Sequence, residues 1–151
     1  MKQLVRSTLI LTGAALLAAA RPHAAPNPMT IVVANGPYAG TYKARADEVV
    51  CLHAKAQKMY AASFKDFNAN SPRAFAEGGL KVNNPDVAGP KKGDLLAAFG
   101  TNDKRSVEYN VFDVPITMTA KGEGAELAGS GKTKDGVQIR VTASCVDVTT
   151  M

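Results

Sequence analysis

Residues Val137 to Cys145 alternate without a break: Val137, Ile139, Val141, Ala143 and Cys145 are apolar, and Gln138, Arg140, Thr142 and Ser144 are polar. A strand sends successive side chains to opposite faces, so this period of two puts one face in a core and the other in water. Lys134-Asp135-Gly136 stands just before it. Asp-Gly predicts a two-residue type I′ hairpin, because that turn needs positive φ and these residues tolerate it. The strand ends on one of only two cysteines in the chain. Pairing Cys145 with Cys51 would tie the last clear strand to the first half of the fold.

An exported chain makes that pairing chemically reasonable. Lys2 and Arg6 form a charged start, and Ser7 to Ala20 is uncharged and mostly apolar. That run falls short of the roughly 20 apolar residues a spanning helix needs. Small residues follow at Ala18, Ala20, Ala24 and Ala25. The order matches a secretory signal peptide, with cleavage expected after Ala25 or, second, after Ala20. Residues 1–25 are thus read as a leader and 26–151 as one β-rich domain. No later stretch is apolar enough to be a membrane anchor. Removing Lys2, Arg6 and Arg21 takes the formal net charge from +5 to about +2. No long run of like charge remains, which argues against nucleic acid or an anionic membrane as partner. A bridge from Cys51 to Cys145 would close a loop of roughly ninety residues, which constrains the unfolded chain by about 4–5 kcal/mol at most.

Along the chain, Thr30 to Ala34 is a β-branched first strand ended by Asn35-Gly36-Pro37. Gly40 to Ala46 alternates, with Tyr42, Ala44 and Ala46 on one face. Asp47 to Phe67 reads two ways. Val49, Leu52, Ala56, Met59, Tyr60, Ser63, Phe64 and Phe67 fit a helical stripe; alternatively Val49–His53 and Met59–Phe64 are strands joined through Lys55–Lys58. Turn signals at Asn70-Ser71-Pro72, Gly78-Gly79, Asn83 to Asp86 and Gly89 to Asp94 cut the middle into short apolar pieces. Val107, Tyr109 and Val111 alternate until Asp113-Val114-Pro115 breaks the run, and Ile116, Met118 and Ala120 resume it. The chain is therefore expected to be mainly β, an antiparallel β-sandwich or barrel, with one helix within 47–67 as an open alternative.

Chemistry-bearing constellations are few. Gly129-Ser130-Gly131-Lys132-Thr133 looks like the end of a phosphate loop, but the position five before Gly131 is Glu126, which would repel phosphate. The segment also leads into a strand, where a phosphate loop must open a helix. It reads as an exposed hairpin arm. With His23 in the leader, His53 is the only histidine of the expected domain. No serine sits in a nucleophile elbow, and the carboxylates are scattered. Cys51-x-His53 and Cys145-x-Asp147 could present four metal ligands if the two segments were neighbours, but a disulfide between the same cysteines would consume both thiolates. Tryptophan is absent, and Tyr38 is the tyrosine expected to be exposed on a loop, where it could contact a ligand or pack over a sheet edge.

Gly40-Thr41-Tyr42, Cys51, and Gly131-Lys132-Thr133-Lys134-Asp135-Gly136-Val137 through Cys145 resemble a class of small exported bacterial proteins of unassigned function. The resemblance spans most of the expected domain. It implies a secreted β-rich fold and no functional residue.

The reading is a non-enzymatic, periplasmic or secreted binding domain for a protein or a surface polymer, with no catalytic residue, cofactor or metal and with Cys51–Cys145 as a disulfide. One alternative is a β-barrel carrier of an apolar small ligand, in which Ala125, Gly129 and Gly131 leave interior space. A second is a small hydrolase, metal-dependent or His-dependent, centred on His53.

Overall fold

The computed structural model describes residues 27–151. The expected leader, 1–25, lies outside them. The described residues form ten strands: β1 Met29–Val33, β2 Gly40–Ala44, β3 Val49–Ala54, β4 Met59–Lys65, β5 Asn70–Asn83, β6 Lys91–Thr101, β7 Arg105–Lys121, β8 Gly124–Lys132, β9 Gln138–Cys145 and β10 Val148–Thr150. They form one sheet in the order β10-β3-β4-β5-β6-β7-β8-β9-β1-β2. All pairs are antiparallel except β10 with β3, so the sheet is mixed. It curls into a half-barrel, which bears out the mainly β expectation.

The helical reading of 47–67 is overturned. Val49–Ala54 and Met59–Lys65 form a hairpin, with Val49 opposite Phe64 and Ala54 opposite Met59. Only a single 3-10 turn at Ala46–Glu48 precedes it. Helix propensity loses here to burial: Val49, Cys51, Tyr60, Ala62 and Phe64 turn into the core on a period of two.

The turn-rich middle is also longer-stranded than its punctuation implies. β5 runs unbroken through Pro72 and Gly78-Gly79, and β7 through Asp113-Val114-Pro115. These residues bend strands rather than end them. At Gly78 a Cβ would collide with Ile31 and Phe75 across the core. In β7 one extra residue is accommodated between Val111 and Val114, opposite Gly93 and Leu95, and Asp113 takes a φ of 55°. That is a bulge, the usual device for turning a strand between layers.

The bulge is pinned by Asp94. Its carboxylate accepts the Asp113 N–H at 3.1 Å and pairs with Lys81 Nζ at 2.6 Å. Burial pushes the Asp94 pKa up, but the hydrogen bonds from Lys81 and the Asp113 amide, with the Lys81 charge, outweigh it and leave the group below its ordinary value. A depressed carboxyl pKa stabilises the fold above the unfolded value of about 3.9, and that contribution is lost as pH falls through the folded value. The urea midpoint of wild type is therefore expected to exceed that of Asp94→Asn at pH 7, and the gap to narrow below about pH 4. A gap independent of pH would contradict this role.

The core lies inside the curl. Ile31, Val33, Ile139 and Val141 from β1 and β9 meet Val82, Leu95 and Phe99 from β5 and β6, and all seven are essentially inaccessible to solvent. Two devices hold the curled halves together. Cys51 of β3 bonds Cys145 of β9, with Cα atoms 5.8 Å apart, as expected from the sequence. Beside it Asn27 is buried and fully hydrogen-bonded: its Nδ2 donates to the carbonyls of Val49 (3.3 Å) and Asp147 (2.9 Å), and its Oδ1 accepts the amides of Val146 (2.7 Å) and Asp147 (3.0 Å). The chain then leaves β9 and lays β10 parallel to β3, with Val148 opposite Cys51.

The β8–β9 turn differs from the expected type I′ form. In this loop only Gly136 has positive φ, at 81°. The Gly136 amide donates to the Thr133 carbonyl and the Thr133 amide to the Val137 carbonyl. Lys134-Asp135-Gly136 is thus a three-residue loop with glycine in the left-handed position.

Candidate functional site

Cys51 and Cys145 are brought together, but as a disulfide, and no free cysteine is present among the described residues. The alternative four-ligand arrangement therefore fails, because the sulfurs are bonded to each other. Of its other members, His53 has its Nε2 3.1 Å from Asp86 Oδ2, and Asp147 is held through its backbone by Asn27. His53 also packs against Tyr60, with ring centroids 5.5 Å apart. Burial pushes the Tyr60 phenol up, and its hydroxyl has no hydrogen-bond partner among the described residues. Among the described residues the side-chain hydrogen-bond partner of His53 is Asp86, and no serine hydroxyl pairs with it.

Tyr38 is half-buried rather than freely exposed. Its ring stacks on Phe99 at 4.6 Å and meets Tyr109 edge-on at 6.3 Å. Tyr42 donates its hydroxyl hydrogen to the Tyr38 carbonyl at 2.8 Å. Of the two expectations for Tyr38, packing over the sheet edge is the one realised. Gly129-Ser130-Gly131-Lys132-Thr133 forms the end of β8 and its loop, as the hairpin-arm reading requires. The interior space expected near Ala125, Gly129 and Gly131 is filled. A Cβ at Gly131 would lie 2.7 Å from methyl groups of both Val111 and Val114, and one at Gly129 would collide with Ile116. Ala125 is itself buried. The core has no room there for a carried ligand.

What the topology does create is a split beside β7. β7 and β8 pair only from Ile116–Gly129 to Lys121–Gly124. Beyond Ile116 toward its start, β7 keeps β6 as its one ladder partner, from Arg105 to Pro115. Over the same stretch β8 pairs with β9 alone. A cleft of about 850 Å³ opens between Val107–Phe112 on one wall and Lys132–Asp135 with Val137 on the other, with Pro37 at its end. Burial pushes up the pKa of the Tyr109 phenol, which lines this cleft, and the neighbouring Tyr38 and Tyr42 add to the shift.

Phe112 stands at the rim. It is 68% exposed, comparable with Phe67 at 69%. On its other side it borders a shallow apolar groove of about 220 Å³ with Met59, Ala61, Gly79 and Leu96 on the outer face of β4–β6. Phe112 was not singled out from sequence, yet a signal was there. Val107, Tyr109 and Val111 occupy the inward phase, so an aromatic at 112 falls on the outward face, directly before a bulge residue and a proline.

Comparison of the chain with family models, curated proteins and solved structures finds no match. The disulfide suggests an oxidising compartment. No helix among the described residues is long and apolar enough to cross a membrane.

Proposed function

We propose that this chain is an exported, non-catalytic binding domain that engages a protein partner at the cleft beside β7. Export, to the periplasm or the exterior, is supported by the leader pattern in residues 1–25 and by a disulfide of the kind that persists in oxidising compartments. The single observation that carries the binding reading is Phe112, exposed at the rim of this cleft and bordering an apolar groove. An apolar patch that runs into a groove is the kind of surface that marks interaction sites, and here Phe112 extends the apolar groove to the cleft. A surface polymer is the weaker occupant, because sugar platforms use several exposed aromatic faces and the cleft presents one.

The test compares wild type with Phe112→Ser, each immobilised and offered the exported proteins of the host. A specific partner is expected to bind wild type and to lose at least tenfold in affinity toward the variant, with the same loss when the partner is the immobilised member. Equal retention by both forms would contradict the assignment of the site. Phe112→Ser is expected to change stability by no more than about 0.5 kcal/mol, so a binding loss is not an unfolding artefact.

A further inference from the structure

We infer that the β7 wall of this cleft receives its partner as an extended strand, paired backbone to backbone with Val107–Asp113; the inference rests on the binding role proposed above. A strand in a ladder directs alternate N–H and C=O groups to each of its two sides. On β7 one side is used by β6, and among the described residues no backbone group pairs with the other side between Arg105 and Pro115; the one side-chain bond to this stretch of backbone is the Asp113 amide donating to Asp94 of β6. A row of alternating partial positive and negative charge at this spacing is complementary to another extended backbone.

The other open edges of the sheet are handled differently. β2 offers five residues and β10 three, short enough to be poor templates. The overhang of β5 at Asn70–Phe75 is covered by the β1–β2 loop, through Tyr38 Oη donating to the Pro72 carbonyl and the Arg73 guanidinium donating to the Pro37 carbonyl. The β7 overhang is the long one that nothing covers. β8 would be its natural neighbour but has moved out of line: at Gly131 it lies over the Val111 and Val114 side chains, on the face of β7 rather than beside its edge. Gly131 permits that approach, since any Cβ would clash there. The guest strand takes the place β8 vacates, in the antiparallel direction β8 would have had. Its side chains alternate, apolar ones toward Tyr109, Val111 and Val137, and a β-branched or aromatic one beside Phe112.

The probe is a phage-displayed library of random decapeptides, selected on the disulfide-intact protein, with the tightest peptide then synthesised. Single backbone N-methylation is scanned along it, which leaves the protein untouched. Strand addition predicts a loss of tenfold or more at every second residue and little change between. It also predicts slowed amide exchange within Val107–Asp113 on binding. A peptide whose affinity drops with Phe112→Ser but shows no alternation would overturn strand addition while leaving the cleft as the binding site. Selected peptides that are all indifferent to Phe112→Ser would overturn both.

Discussion

Replacing Cys51 and Cys145 together by alanine is expected to lower the unfolding free energy by at most about 4–5 kcal/mol, which corresponds to a melting temperature lowered by up to about 15 °C. The bridge spans 94 residues, so the unfolded chain regains nearly the entropy of a free domain when it is cut. The two sulfurs are also buried, on β3 and β9, strands six places apart in the sheet order. No hydrogen-bonded ladder joins these two strands directly, so the staple acts where the curled sheet has no continuous pairing of its own. Asn27 and β10 remain as the other links across that junction, and for this reason the variant is expected to stay folded at room temperature rather than lose its structure. Urea denaturation of the variant, set beside wild type with and without reductant, measures the effect. A loss under about 1 kcal/mol would mean that the bridge decorates a fold already closed by other contacts.

Phe99→Ala is expected to cost about 3–5 kcal/mol, in sharp contrast to Phe112 thirteen residues on. Phe99 is fully buried and touches four other rings: Tyr38 at 4.6 Å, Tyr42 at 4.8 Å, Phe75 at 5.8 Å and Tyr109 at 6.1 Å. Those rings come from the β1–β2 loop, β2, β5 and β7, so one side chain joins four segments of the half-barrel. Its removal leaves a cavity that rings held by separate strands cannot easily close. Tyr38 loses the surface it stacks on, and the loop that covers the β5 overhang loosens with it. A stability loss below about 1 kcal/mol for Phe99→Ala would show that the aromatic cluster is not the centre of the core.

Much of this architecture can be read from residue patterns. β9 declares itself by alternation, and a pair of cysteines in a chain with a leader pattern leaves one natural disulfide. The residues of 49–65 fit a hairpin as well as a helix, and the strands Val49–His53 and Met59–Phe64 that they allow have nearly the observed boundaries. What is hidden is hidden for a physical reason. Gly78-Gly79 and Pro115 carry strong local turn signals, but here they mark bends within long strands, because the sheet must curl around Ile31 and leave β8 behind. Whether a glycine ends a strand or bends it depends on what crosses over it, and that residue is distant in sequence. Asn27 is the extreme case. It lies between two prolines, and all its partners are backbone groups of Val49, Val146 and Asp147. The cleft was illegible as well, since it arises from two strands parting company rather than from any motif. Only the phase of Phe112 hinted at it.

The open side of β7 is the feature on which partner binding depends. Residue-resolved amide hydrogen exchange on the free protein at neutral pH measures it directly. If the edge is open, amides of Val107–Phe112 that face β6 exchange slowly, and their alternate neighbours that face the cleft exchange faster by at least a hundredfold. Uniformly slow exchange across Val107–Phe112 would mean that β8 closes onto β7 in solution, and the binding edge described above would not exist.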